Sequence, residues 1–105
     1  MSEKEMIEEF LRWCNANDQR FRTDSVRTEL RRPGLATVEQ AGINLETEYV
    51  LASINIWGWG DFEVIVMCKR TKEAILSDDF QISSPTEVFG TLECYYNRVV
   101  NQPPC

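Results

Sequence analysis

The side chains that most often carry chemistry are present in an uneven selection: the 105 residues include four cysteines and 17 Asp plus Glu, but no histidine. Without imidazole there is no His-based nucleophile triad, no His-centred acid/base relay and no His-containing metal site. The cysteines stand at positions 14, 68, 94 and 105, so no C-x-x-C pair exists for zinc or thiol exchange. Cys14, Cys68 and Cys94 fall on faces that read as apolar, where a reduced cysteine acts as a small hydrophobe. Cys105 follows Pro103-Pro104 and reads as an exposed thiol on a frayed end, and all four thiols are expected to be reduced. Catalysis would then rest on carboxylates, with Asp61 and Glu63 or Asp78 and Asp79 as candidate pairs. A carboxylate enzyme needs two acids in a cleft, in environments that separate their pKa values. Asp78 and Asp79 point to opposite faces of a regular strand, and a sheet roofed by two helices offers no deep pocket. The expectation is no catalytic residue, no metal and no cofactor.

The carboxylates are unevenly spread. Through Gly34 the chain carries seven basic and seven acidic residues; from residue 35 onward four basic residues face ten acidic ones, which leaves the whole net charge of −6 on that part. Three of those four basic residues crowd into Lys69-Arg70-Thr71-Lys72. Glu46, Glu48, Asp61, Glu63, Asp78 and Asp79 are left with little compensation. This reads either as a solvated, solubilising face or as an acidic surface for a basic partner. The field it creates repels phosphate backbones and anionic lipid, which argues against nucleic acid and membranes as direct partners. The first ten residues, MSEKEMIEEF, lack the basic-then-apolar pattern of a secretory leader, and no apolar run approaches the roughly 20 residues that span a bilayer. A cytoplasmic location is expected.

These groups must be held by a small set of elements. The length suits one domain, 1–105, and 43% apolar residues supply its core without metal or disulfide staples. Ser2 and Glu5 form a capping box ahead of Met6, Phe10 and Trp13 at helical spacing. Ser84-Pro85-Thr86-Glu87 repeats the capping logic before a second amphipathic helix that ends short of Pro103. Between them, 49–57 and 61–68 flank Gly58-Trp59-Gly60, a loop suited to a bulged hairpin. Opposing Ile56 to Phe62, Ile54 to Val64 and Ala52 to Val66 makes one face wholly apolar. The other face collects Tyr49, Leu51, Ser53, Asn55 and Trp57 with Asp61, Glu63, Ile65 and Met67.

After a turn at 69–73, residues 74–82 alternate again, with Leu76, Phe80 and Ile82 inward and Ile75, Ser77, Asp79 and Gln81 outward. Asp78 breaks the pattern, through a bulge or rim position or as a carboxylate aimed at a specific partner. Residues 21–30 read as a further strand or a helix, and 32–44 as a connecting loop. The architecture is α+β: N-terminal helix, antiparallel sheet of three to four strands, C-terminal helix, both helices on one sheet face.

Trp57 on the mixed face and Trp59 at the loop tip have two readings. They cover the sheet end and fold back over the hairpin, or they form an interface anchor ringed by acidic residues. The stretch from Asn44 through Ile56-Trp57-Gly58-Trp59-Gly60-Asp61-Phe62-Glu63-Val64 and on to Ile75-Leu76-Ser77-Asp78-Asp79 resembles the TriTu immunity family of bacterial polymorphic toxin and contact-dependent inhibition systems. The most specific part is Trp57, Gly60 and the acidic–apolar alternation Asp61, Glu63, Val64. The turn after the second strand departs from the family, which commonly has Thr-Gly-Glu where this chain has Thr71-Lys72-Glu73. The resemblance implies a cytosolic inhibitor of one cognate toxin domain. Its expected contact residues are Glu48, Tyr49, Trp57, Trp59, Asp61, Glu63 and Asp79, and it is expected to be a monomer or weak homodimer. A nuclease toxin would offer the basic surface that an acidic inhibitor is steered toward. Two other classes fit the composition: a small acidic secretion chaperone holding an effector segment as a homodimer, and a carboxylate enzyme of small metabolites.

Overall fold

The computed structural model describes residues 3–33 and 39–105. Helix α1 runs over Glu3–Ala16 and a short α2 over Asp18–Thr23. Five strands follow: β1 (Arg27–Arg31), β2 (Gln40–Glu46), β3 (Val50–Trp57), β4 (Asp61–Cys68) and β5 (Ala74–Gln81). A 3-10 turn at Pro85–Glu87 then leads into α3, Val88–Val100. The Ser2 capping box lies outside the described residues. The Ser84 box is present as read: Ser84 Oγ accepts from the Thr86 amide, and the Glu87 carboxylate accepts from the Ser83 and Ser84 amides. Those bonds hold the Glu87 carboxyl below its usual range, because they favour its charged form.

The strands form one antiparallel sheet in sequence order, β1 to β5. Two strands more than the three-strand reading come from the segment before Tyr49. Residues 21–30 divide into α2, which buries Phe21, and β1. A left-handed Ser25 (φ 57°) makes the turn between them. Residues 40–46, of which 40–44 are expected to be loop, are β2: Ala41, Ile43 and Leu45 are buried while Gln40, Gly42, Asn44 and Glu46 take the other face. Gly and Asn are poor strand formers by propensity, yet the alternation is complete.

The hairpin register is as read, with Ile56 opposite Phe62, Ile54 opposite Val64 and Ala52 opposite Val66. These residues join Phe10, Trp13, Leu92, Tyr96 and Val99 in one core between the sheet and the two longer helices. Trp13, Phe21 and Tyr96 form an aromatic cluster with ring centroids 5.4–5.8 Å apart. Its polar edge is tied down by Arg20, which bonds Glu93 at 2.6 Å, while the Tyr96 hydroxyl donates to Asp24 at 2.7 Å.

Two cysteine expectations are corrected. Cys68 and Cys105 form a disulfide instead of standing as free thiols. The segment after α3 turns back along the sheet end, where Arg70 Nε donates to the Cys105 carbonyl at 2.8 Å and the pair 37 residues apart is brought together. Cys94 is exposed, because it sits two residues from both Leu92 and Tyr96 and therefore on the far side of α3 from the buried stripe. Cys14 is a buried free thiol, and burial pushes its pKa up to about 12.

Candidate functional site

Both helices lie on one face of the sheet, so the outward positions of the strands form a second, open face. Its presentation begins at the hairpin loop. Gly60 has φ 102°, and a Cβ there would lie 2.3 Å from the Ile82 carbonyl oxygen, so only glycine fits. The loop is fastened on both sides: Ile82 N donates to the Gly60 carbonyl at 2.9 Å and Gly58 N to the Glu39 carbonyl at 2.8 Å. Trp57 and Trp59 are thereby held as a tilted pair, centroids 6.4 Å apart. Trp59 is 45% exposed, and its indole N–H is satisfied by the Asp61 carboxylate. Trp59 thus folds back onto the hairpin and still presents nearly half of a large apolar side chain.

Beyond Asp61 the strand register sets Glu63 directly opposite Asp79. Among the described residues no cation lies within 4.0 Å of Asp61, Glu63 or Asp79, and the Asp79 carboxylate makes no hydrogen bond. Glu63 receives one bond, from Asn55 Nδ2 at 3.3 Å. Like charges directly opposite on neighbouring strands are destabilising. Trp57, Trp59, Asp61, Glu63 and Asp79 are thus brought to one end of the open face. Tyr49 and Glu48 are not. They sit just ahead of β3, with Tyr49 eight positions and roughly 25 Å of extended chain from Trp57, beside the Thr47 turn.

The β1–β2 side of the same face is built differently. The Arg31 guanidinium crosses Gly42, where an added Cβ would lie 2.5 Å from Arg31 Nη2 and from Asn55 Oδ1. Nη2 donates to Asn44 Oδ1 (3.1 Å) and Ser53 Oγ (3.2 Å), while Gln40 donates to Asn55 Oδ1 at 3.2 Å. Asn55, 8% exposed, is a buried polar residue under this network. Nearer the far end, Lys69 bonds Glu46 at 2.7 Å. Sequence reasoning placed Asn55 on the mixed face but missed Arg31 and Gln40, whose signal was the lone glycine in an alternating strand. That gap is what lets a long side chain lie flat.

Asp78 resolves the other way from Asp79. It faces the helices, half-buried, accepts from the Tyr95 hydroxyl at 2.6 Å and lies 3.8 Å from Arg98. Burial first, and the Asp78 carboxylate second, push the Tyr95 pKa up to about 12. The strand irregularity falls at Val66/Met67 opposite Ile75, not at Asp78. The two neighbouring acids therefore do not converge. No group of three or more His, Cys, Asp or Glu side chains among the described residues is placed to hold a metal ion. No helix among them is long and apolar enough to cross a membrane.

What the fold and this face define is a small α+β domain whose distinctive chemistry lies on an open sheet surface instead of in a cleft. The family model for the immunity protein TriTu matches residues 8–98, nearly the whole chain, and the protein belongs to that family. Its role is accordingly that of an immunity protein, a neutraliser of a toxin. No curated protein and no solved structure matches it.

Proposed function

We propose that this immunity protein binds its cognate toxin domain through the acidic, tryptophan-bearing end of the open sheet face, with Trp57, Trp59, Asp61, Glu63 and Asp79 in the contact. The observation that carries this reading is the uncompensated Glu63–Asp79 pair. A fold selected for stability alone gains nothing from two facing carboxylates, whereas Lys or Arg side chains of a partner would relieve them. The exposed indole beside them is the residue type most often found at the energetic centre of an interface. A nuclease toxin suits this surface, because the basic patch that holds its substrate would be both attracted and covered by it. The inhibitor acts by binding, without catalytic group or cofactor, as a monomer or weak homodimer and without contacting nucleic acid or membrane. The family match favours this reading over a secretion chaperone.

The test is binding kinetics with the cognate toxin domain at two salt concentrations. Trp57→Ala should raise the dissociation rate, costing about 2 kcal/mol, and Asp61→Lys with Glu63→Lys should slow association and flatten its salt dependence. Unchanged kinetics in all three folded variants would remove this end of the face from the contact. The cytoplasm is the proposed site of action, and trapping thiols in intact cells checks it. A Cys68–Cys105 bond found closed there would instead indicate an oxidising compartment.

A further inference from the structure

The strand register lines up one row of residues straight across the open face. Arg31 on β1 stands opposite Gly42 on β2, Gly42 opposite Asn55 on β3, Asn55 opposite Glu63 on β4, and Glu63 opposite Asp79 on β5. The row is positive on one side of the middle strand and negative on the other. Because Arg31 lies across Gly42 and bonds Asn44 and Ser53 through Nη2, its guanidinium is held over β2. That is as far from β3 on one side as Glu63 on β4 is on the other. Nη1 makes no hydrogen bond among the described residues and, unlike Nε, is not buried. A row of charges whose sign reverses about its centre is complementary to its own copy, as a two-fold contact between identical surfaces requires.

We propose that the free protein pairs with a second copy of itself through this face, about a two-fold axis running along β3. Sheets packed face to face keep their strands within about 30° of each other and lie about 10 Å apart, which brings a guanidinium lying on one within reach of carboxylates standing on the other. The two-fold carries β1 over β5 and β2 over β4, and so sets Arg31 of each copy against Glu63 and Asp79 of the other. Two carboxylates that repel within one chain then share a cation from the next, and this happens twice per dimer. The remaining charged positions of the strands meet no like charge: Asp61 faces Gln40, Glu29 faces Ser77, Arg27 faces Ala74, and Glu46, already held by Lys69, faces Met67. The outward residues of β3, which meet their own copies, are Leu51, Ser53, Asn55 and Trp57, none of them charged. A two-fold across the strands instead sets β1 on β1 and β5 on β5, and keeps Arg31 away from both carboxylates. Five strands about 4.8 Å apart and up to eight residues long give a face of roughly 500 Å², short of the about 800 Å² a side of a standard interface. The dimer is accordingly weak. Resting on the reading above, toxin and second copy compete for Glu63 and Asp79, and the dimer is a resting form that the toxin takes apart.

The experiment is sedimentation velocity of the full chain over a concentration series at low and high salt, with a thermal melt of each variant. The wild type should shift from monomer to dimer as concentration rises, and less so at high salt. Arg31→Glu and Asp79→Arg should each weaken dimerisation at least about 10-fold, because each brings like charges together at both contacts. Mixed in equal amounts, the two variants should associate with one another, since each supplies the sign the other lacks; damage to the fold would not produce that rescue. Should Arg31→Glu not fold, Arg31→Gln replaces it, and it and Asp79→Arg must each weaken the dimer. A wild type that stays monomeric at every concentration overturns the proposal and leaves the acidic-end reading of the toxin contact standing. A dimer that neither substitution weakens lies on another surface and overturns it too. Added cognate toxin domain should convert the dimer into a complex with one copy of each chain. If the mixed variants associate but the toxin binds the intact dimer, self-association through this face stands and the acidic-end reading falls.

Discussion

The two halves of the open face have the same strand geometry and opposite charge at their centre, a guanidinium in one and facing carboxylates in the other. On β1 and β2 a glycine makes room for Arg31, which ties three strands together through Asn44 and Ser53. On β4 and β5 the register places Glu63 against Asp79 with no cation in reach among the described residues. Burial does not separate these halves, since both are partly solvated. What separates them is how far the polar groups find partners within the chain: among the described residues, Arg31 bonds Asn44 and Ser53 through Nη2 while its buried Nε has none, and Glu63 and Asp79 face one another with no cation in reach. The first half is largely held within the chain, whereas a half that leaves like charges facing one another is stabilised by whatever supplies the missing sign.

The comparison can be broken at several points. The largest effect is expected from Cys105→Ser, which releases the strap across the end of the sheet remote from the tryptophans. Closing a loop of this length lowers the entropy of the unfolded chain by an amount worth about 4 kcal/mol. Urea unfolding should show that loss, and reductant should reproduce it in the wild type but not in the variant. Gly60→Ala comes next, at about 3 kcal/mol, because its Cβ would meet the Ile82 backbone in a left-handed conformation. Here the melting temperature falls, and the Trp fluorescence of the folded state should shift as the Trp57–Trp59 pair is released.

Arg31→Ala should cost on the order of 1 kcal/mol, since it leaves Asn44 and Ser53 without their shared donor, and should leave toxin affinity within 2-fold. A large loss of affinity in that variant would mean that the Arg31 half also takes part in binding. The smallest effect sharpens the contrast most. Asp79→Asn should stabilise the free protein by about 0.5 kcal/mol through relief of the cross-strand repulsion, yet weaken toxin binding. Equal or tighter binding would show that the carboxylate pair has no role in recognition.

Much of this was legible in the residues. The β3–β4 register follows from alternation on both sides of a three-residue glycine loop, because a slip of one would turn Ile54, Ile56 and Val64 to solvent. The outward direction of Trp57, Asp61, Glu63 and Asp79 follows from the same period. At the turn 71–73 Lys72 has φ 65°, a left-handed conformation that glycine adopts without strain. β2 was obscured by Gly42 and Asn44, whose low strand propensity is offset by Ala41, Ile43 and Leu45 in the core and by the Arg31 network outside it.

What the sequence by itself determined is which side chains share a face, since a period of two or 3.6 residues is a local property of the backbone. What only the tertiary structure decided is which distant groups meet. The pairing of Cys68 with Cys105, the Tyr95 hydroxyl on Asp78 and the guanidinium of Arg31 over Gly42 each depend on how remote segments pack. Such contacts close long loops, and it is the packing of the whole core, not any local preference, that offsets the entropy of closing them.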